Sequence, residues 1–361
     1  MHAAITILVI FLCFLLVLAL AGAVYQIVGT WRDRRRLLPP GRLVRVNQRW
    51  MHIYVTGEGA PTVVFESGMG ASCMSWTRVQ PTVAQFTRAV SYDRAGHGWS
   101  EAGRDPRTAK QIARELRVLL HAAGVPGPFV LVGHSFGGYV IRAFAGLYRQ
   151  DVAGMVLVDS IHPAEWETPT PGQRRMVKVG LRYAWAAAWL ARLGFVRLCL
   201  TRVAQGSTGL TSAVARAFGA DVTSAVQSIV GEIRKLPAPN VPVVRAFWSQ
   251  PKNFLSLGQH VAALPVSAAQ AAAVNSLGDL PLIVLSGDHH EAPEADWQSD
   301  LTRLSCRGVQ LVASNSGHWV HFDRPDLVAQ AIRDVVAAVR STLQVESSEE
   351  TTQPANTSLP G

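Results

Sequence analysis

The stretch Phe129-Val130-Leu131-Val132-Gly133-His134-Ser135-Phe136-Gly137-Gly138 decides how the rest of the chain is read. Its first four residues are apolar without interruption, the pattern of a strand buried on both faces. Tyr139 to Tyr148 follows with Val140, Ile141, Phe144 and Leu147 at helical spacing. Between the two lies G-x-S-x-G, Gly133 to Gly137. Strand, pentapeptide and helix together read as a nucleophile elbow, a sharp turn that pushes a serine hydroxyl clear of the backbone. Gly133 and Gly137 belong where a Cβ would strike the neighbouring strand or helix. Ser135 then sits at the N-terminus of the following helix, where free N–H groups and the helix dipole favour developing negative charge. A chance pentapeptide in a loop would lack the flanking strand and helix.

Outward from this point, strands and helices alternate. Leu43–Val46, Met51–Val55, Thr62–Phe65 and Ala89–Tyr92 read as strands before it, and Met155–Val158, Leu282–Leu285 and Val309–Val312 as strands after it. Thr108 and Gln111 form a capping box for a helix ending near Ala123, with Gly124 as its stop. A closing helix from about Asp326 to Val339 carries Leu327, Ala331, Val335 and Val339 on one stripe. This alternation predicts an α/β fold, a mostly parallel central sheet with helices on both faces. From Ser160 to about Asn275 the alternation stops, and an Ala-, Arg- and Trp-rich helical segment is inserted between two strands. The last twenty or so residues are Ser-, Thr- and Glu-rich and read as disordered.

At the other end, Ala3 to Val28 carries no charge. That run exceeds the roughly 20 residues needed to cross a bilayer as a helix. The rival reading is a cleaved signal peptide, with Ala19-Leu20-Ala21 as an A-x-A site, but the N-terminus lacks Lys or Arg and the run is longer than the usual apolar stretch of about 7–15 residues. Seven arginines and one aspartate lie between Trp31 and Trp50, so six of the nine net positive charges sit directly after the apolar run. This placement points to a membrane surface rather than to nucleic acid. By the positive-inside rule it predicts a single-pass membrane protein whose larger, C-terminal part is cytoplasmic. Cys13, Cys73, Cys199 and Cys306 are scattered and suggest neither a disulfide framework nor a zinc site. The expected organisation is an anchor at 1–30, a basic linker at 31–42, a core at 43–159 and 276–341, a helical cap at 160–275 and a tail at 342–361.

Three motifs, in order, are Asp93-Arg94-Ala95-Gly96-His97-Gly98-Trp99-Ser100, the Ser135 elbow, and Ser316-Gly317-His318 after the last strand. With them the chain resembles serine hydrolases of the α/β-hydrolase fold, esterases and lipases among them, over about Val44 to Arg340. The resemblance implies a helical cap after the sixth strand, where the insertion falls. It also implies acyl chemistry with neither a metal nor an organic cofactor.

Serine at its free pKa is a poor nucleophile and needs a base. His318 fits by its place after the final strand and by the order serine first, histidine last. His321 is the alternative, and His97 and His134 read as structural. The third member is a carboxylate that fixes the histidine tautomer. Hydrolases of this kind often carry it three residues after the glycine ending the seventh strand, but here that position, counted from Gly287, is His290. The other known position, the end of the sixth strand, holds Asp159. Asp159 is therefore preferred, with Asp288 and Glu291 as alternatives. His289, His290, Glu291 and Glu294 read as a solvated loop. The oxyanion donors expected are the backbone N–H groups of Phe136 and, in the loop Glu66-Ser67-Gly68-Met69-Gly70, of Met69. The Asp93–Ser100 motif reads as a loop brace, with Arg94 able to reach the pocket mouth.

The function expected is a membrane-anchored hydrolase of a small-molecule ester or related acyl substrate. Peptidases, thioesterases and carbon–carbon hydrolases share the chemistry, and a silent, ligand- or partner-binding relative is the alternative outside enzymes. Trp166, Trp185, Trp189 and Phe195 are expected to shape the pocket. Arg175, Lys178 and Arg182, followed by Ala186, Trp189 and Leu193, mark a helix that either packs on the core or rests on anionic lipid.

Overall fold

The computed structural model describes residues 1–103, 106–205, 235–290 and 294–352. Eight strands form one sheet: β1 Arg42–Val46, β2 Arg49–Thr56, β3 Thr62–Glu66, β4 Ala89–Tyr92, β5 Phe129–His134, β6 Val152–Val158, β7 Leu282–Gly287 and β8 Gly308–Ala313. Their spatial order is β1-β2-β4-β3-β5-β6-β7-β8. The β1–β2 and β2–β4 pairs are antiparallel and all the others parallel. This is the α/β-hydrolase fold.

The longer helices are α1 His2–Arg36, α2 Ala109–Ala122, α3 Gly137–Leu147, α4 Pro171–Arg192, α5 Phe195–Ala204, α6 Val241–Trp248, α7 Pro251–Ala262, α8 Leu264–Ala272, α9 Glu294–Asp300 and α10 Pro325–Thr352. The central strands are apolar throughout because both faces are covered. Leu131, Leu157 and Val284 pack on one face with Ile112, Leu116 and Leu120 of α2 and Ile141 and Phe144 of α3. Val130, Val132, Val156 and Leu285 pack on the other with Val328, Ile332 and Val335 of α10.

Between β6 and β7 the described residues are helical, α4 to α8. Thr108 caps α2 by accepting from the Gln111 N–H at 3.3 Å, but the Gln111 side chain turns to Glu115 instead of completing the box. α10 does not stop near Val339. It continues to Thr352, so residues 342–352 of the expected tail are helical, and the remainder lies outside the described residues.

α1 is long and apolar enough to cross a membrane. Its first eighteen residues touch no other part of the protein strongly enough to lose exposure. Its C-terminal part does. A Cβ on Gly22 would overlap the Leu193 carbonyl oxygen, and Gln26 is buried. The run is therefore not uniform: its C-terminal part carries a docking stripe.

Candidate active site

The parallel strands end at one edge of the sheet, where loops after β3, β5, β6, β7 and β8 converge. β5 brings Ser135 there, 8% exposed and with φ of +53°. A non-glycine residue in the left-handed region is strained and must be held. Ser135 N–H donates to the Val158 carbonyl at 3.1 Å, and the Ser135 carbonyl accepts from Gly138 N–H at 2.9 Å. A Cβ on Gly133 would lie 2.8 Å from the Gly137 backbone, and one on Gly137 would lie 2.5 Å from the Glu66 carbonyl oxygen. The two glycines are therefore steric requirements of the turn.

Asp159 follows β6 directly, 2% exposed and with φ of +44°. Its Oδ2 accepts from His318 Nδ1 at 2.6 Å. Its Oδ1 accepts from the Gly287 N–H at 2.9 Å and from His290 Nε2 at 2.8 Å. Burial pushes this carboxyl up, but the hydrogen bonds from His290 and His318, with the His318 charge and the Gly287 N–H, outweigh it. The carboxyl is held well below the usual range. An ionised carboxylate only accepts, so His318 carries a proton on Nδ1 and, when neutral, offers the Nε2 lone pair.

His318 lies beside the elbow. Its carbonyl accepts from His134 Nε2 at 2.9 Å, and the two rings are 4.8 Å apart. Burial lowers His134 to about 3, which keeps it neutral and structural. Among the described residues, Ser135 Oγ and His318 Nε2 form no direct hydrogen bond. Such bonds are often loose before substrate arrives. His321 is fully buried against Trp76 and His134, and neither of its ring nitrogens has a hydrogen-bond partner.

The other carboxylates fare differently. Asp288 is exposed and accepts from the Asn315 N–H at 2.7 Å and the Ser316 N–H at 3.2 Å, so it caps the loop that carries His318. These bonds lower its pKa. Glu291 lies outside the described residues. The reading of 289–294 as a solvated loop needs correction at His290, which is mostly buried and bonded to Asp159. The signal was present in the sequence: a histidine occupies the place where a carboxylate was sought.

Phe136 follows the serine directly, and Met69 follows Gly68 in the loop after β3. Gly68 lies close enough that a Cβ on it would be 3.5 Å from Ser135 Cβ. The loop is fixed from beneath by Arg94, whose Nε donates to Glu66 at 2.7 Å and whose Nη atoms reach the Ser67 and Gly68 carbonyls. Arg94 is 2% exposed, so it braces this loop and does not reach a pocket mouth. Gly70, with φ of +76°, faces Trp248 and Leu257. Those two pack in one apolar cluster with Met74, Phe247, Phe254 and Trp319. Of the aromatics expected in the pocket, Trp166 is buried in the core, whereas Trp185, Trp189 and Phe195 point outward, 61%, 47% and 44% exposed.

Among the described residues, two groups bring possible metal-ligand atoms within 4.8 Å: Asp159, His289 and His318, and His52, Cys73 and Asp93. In each the carboxylate is already engaged, Asp159 as above, with His289 3.9 Å away, and Asp93 by His52 at 2.9 Å and the Cys73 N–H at 2.8 Å.

A model of the alpha/beta hydrolase family matches residues 63–331. The chain belongs to the alpha/beta hydrolase family. It is 27% identical over 288 residues to the uncharacterized protein YqjL of Bacillus subtilis (strain 168), covering 78% of this chain and 86% of that one. It is 25% identical over 279 residues to the sn-1-specific diacylglycerol lipase ABHD11 of Mus musculus, covering 77% and 81%. Among solved structures, the epoxide hydrolase CorEH superposes with a TM-score of 0.59 at 19% identity, over 82% of this chain and 98% of that one. At that identity the likeness concerns the fold alone. In this alpha/beta hydrolase, the three sequence motifs all meet at the carboxyl edge of the sheet.

Proposed function

We propose that the protein is a membrane-anchored serine hydrolase cleaving an ester or related acyl substrate. Ser135 is the nucleophile, His318 the general base and acid, and Asp159 the acid that orients it. The observation that supports this best is the buried Asp159 holding His318 Nδ1, with the His318 carbonyl bonded to His134, the residue before the strained Ser135.

In this reading, Ser135 Oγ attacks the acyl carbon while His318 Nε2 takes its proton. The oxyanion is received by the N–H groups of Phe136 and Met69, each donor contributing about 10²–10³ in rate. The intermediate collapses as the bond to the leaving alcohol breaks, and His318 returns the proton to that alcohol. Water repeats the sequence and frees the acid. No cofactor is required. Epoxide hydrolases of this fold employ an aspartate at the nucleophile position, so Ser135 argues against epoxide opening despite the likeness to CorEH. The apolar cluster of Trp248, Leu257 and Trp319 favours an apolar acyl group, in keeping with a relative named as a diacylglycerol lipase. α1 anchors the chain in one pass, and the arginines after it hold the hydrolase on the cytoplasmic side.

The test is labelling of the full chain by a fluorophosphonate probe. Wild type is expected to label and Ser135→Ala to give none, with an unchanged circular dichroism spectrum. Turnover of an acyl ester should fall about 10⁴-fold or more in the variant. An unlabelled wild type, beside hydrolases that do react, would favour the silent, ligand-binding alternative.

A further inference from the structure

α4 shows its large apolar residues to the outside. Leu181, Trp185, Trp189 and Leu193 recur every four residues, and all are exposed. Steps of four keep side chains on one face of a helix. An adjoining face is occupied: a Cβ on Gly258 of α7 would lie 2.9 Å from Ala184, and Ala188 and Ala191 are buried. The helix therefore packs on its neighbour through small residues and leaves its tryptophans uncovered. Gly194, with φ of +71°, then turns the chain through 85° into α5, which adds exposed Phe195 and Leu198 to the same region. Arg175, Lys178 and Arg182 stand exposed toward the start of α4.

The position of this surface relative to α1 is fixed. Gly22 of α1 and Gly194 meet backbone to backbone, and a Cβ on Gly194 would lie 2.6 Å from the Gly22 carbonyl oxygen. Arg197 of α5 is buried and locks the pair. Its Nε donates to Gln26 at 2.9 Å, its Nη1 to Asp33 at 2.6 Å and its Nη2 to Thr30 at 3.2 Å. Gln26 in turn donates to the Ser249 carbonyl at 2.8 Å. A helix rises about 1.5 Å per residue, so the twenty or so residues before Gly22 span the roughly 30 Å of a hydrocarbon core. That sets Gly22, and with it Leu193 and Gly194, at the boundary between acyl chains and headgroups.

We propose that the face of α4 and α5 bearing Trp185, Trp189, Leu193, Phe195 and Leu198 is seated in the phospholipid interface, with its cations toward anionic headgroups. This rests on the reading of α1 as a membrane span. Tryptophan is the side chain best suited to that depth, since its ring is apolar and its N–H is wet. The basic residues complement acidic lipid. The insertion over the Ser135 edge is then held against the bilayer, which would let an apolar acyl ester arrive from the lipid.

The experiment uses the full chain in vesicles of phosphatidylcholine and phosphatidylserine containing brominated lipid, which quenches tryptophan on contact. Bromines near the headgroup end of the acyl chain are expected to quench wild type, and Trp185→Phe with Trp189→Phe to lose most of that quenching. Leu12→Trp, about ten residues and so roughly 15 Å from Gly22 along the helix, is expected to gain quenching from bromines near the methyl end. Equal shallow quenching of wild type and the double variant, with Leu12→Trp quenched deeply, would overturn the proposal and leave the anchor standing. Absence of deep quenching in Leu12→Trp would overturn the anchor and the proposal together.

Discussion

Asp159 and Asp288 stand at the carboxyl ends of neighbouring strands, β6 and β7, on the same edge of one sheet. The first is buried, strained at φ of +44°, and receives His318, His290 and the Gly287 N–H. The second is exposed and, among the described residues, receives the backbone N–H groups of Asn315 and Ser316. One is surrounded by ionisable side chains and the other by amides of the loop it ties down. A charge fully enclosed by donors acts strongly on an imidazole, whereas an exposed charge is screened by water. The contrast teaches that of two strand-end carboxylates on one sheet edge, the fold encloses the one at β6 and brings His318 to it. The β7 end here contributes a donor, His290, where a carboxylate was looked for.

The largest effect tests this directly. Asp159→Asn should lower kcat by about 10⁴-fold, because asparagine keeps the size but stabilises neither the Nδ1–H tautomer nor the imidazolium. A steady-state assay on an acyl ester reads it. If Asp288→Asn gives the larger loss, the comparison is inverted and the assignment of Asp159 falls.

Next comes His290. A hydrogen bond to a charged group contributes about 1.5–3 kcal/mol, and about 1.4 kcal/mol is tenfold in rate. His290→Phe should therefore lower kcat about tenfold, with KM little changed and the Ser135 probe reaction still detectable. A shift of the alkaline or acid limb of the pH–rate profile would separate this positioning role from simple loss of folding. Unchanged kcat and pH profile would mean the His290 contact is incidental.

The elbow was legible because its constraints are local: a short apolar strand, two glycines and a helix decide it without knowledge of the rest. Position in chain order pointed to His318 as the candidate base, and the structure brings Asp159 against it. His290 was passed over because a histidine in a loop carries no local pattern, and its partner lies 131 residues away. Arg94 was read as part of a brace but aimed outward, because exposure of a charged residue is the default and its Glu66 partner is a strand-end carboxylate with no motif. The outward tryptophans were misread for the converse reason, that large apolar residues usually face a core. Yet α1 carried a usable signal: Gly22, Gln26, Gly29 and Asp33 recur at steps of three and four within a run of apolar residues. That is the pattern of a helix with a docking face.

Asp288→Asn should be mild. Asparagine retains one oxygen that can accept from Asn315 or Ser316, so the histidine loop stays closed most of the time, and kcat should fall by only a few-fold. A loss approaching that of Asp159→Asn would show that loop closure, not the enclosed charge, controls turnover.

The smallest effect concerns acid stability. The folded-state pKa of Asp159 is depressed, so its contribution is complete above the unfolded value, about 3.9, and declines as pH falls below it. Measured as the difference in thermal midpoint between wild type and Asp159→Asn in detergent, this contribution cancels every carboxylate the two proteins share, Asp288 included. The midpoint difference should be steady just above pH about 4 and shrink as acidification proceeds. A difference that instead grows as pH falls toward about 4 and stays flat below it would mean that Asp159 is held protonated rather than ionised, and the contrast with Asp288 would lose its electrostatic basis.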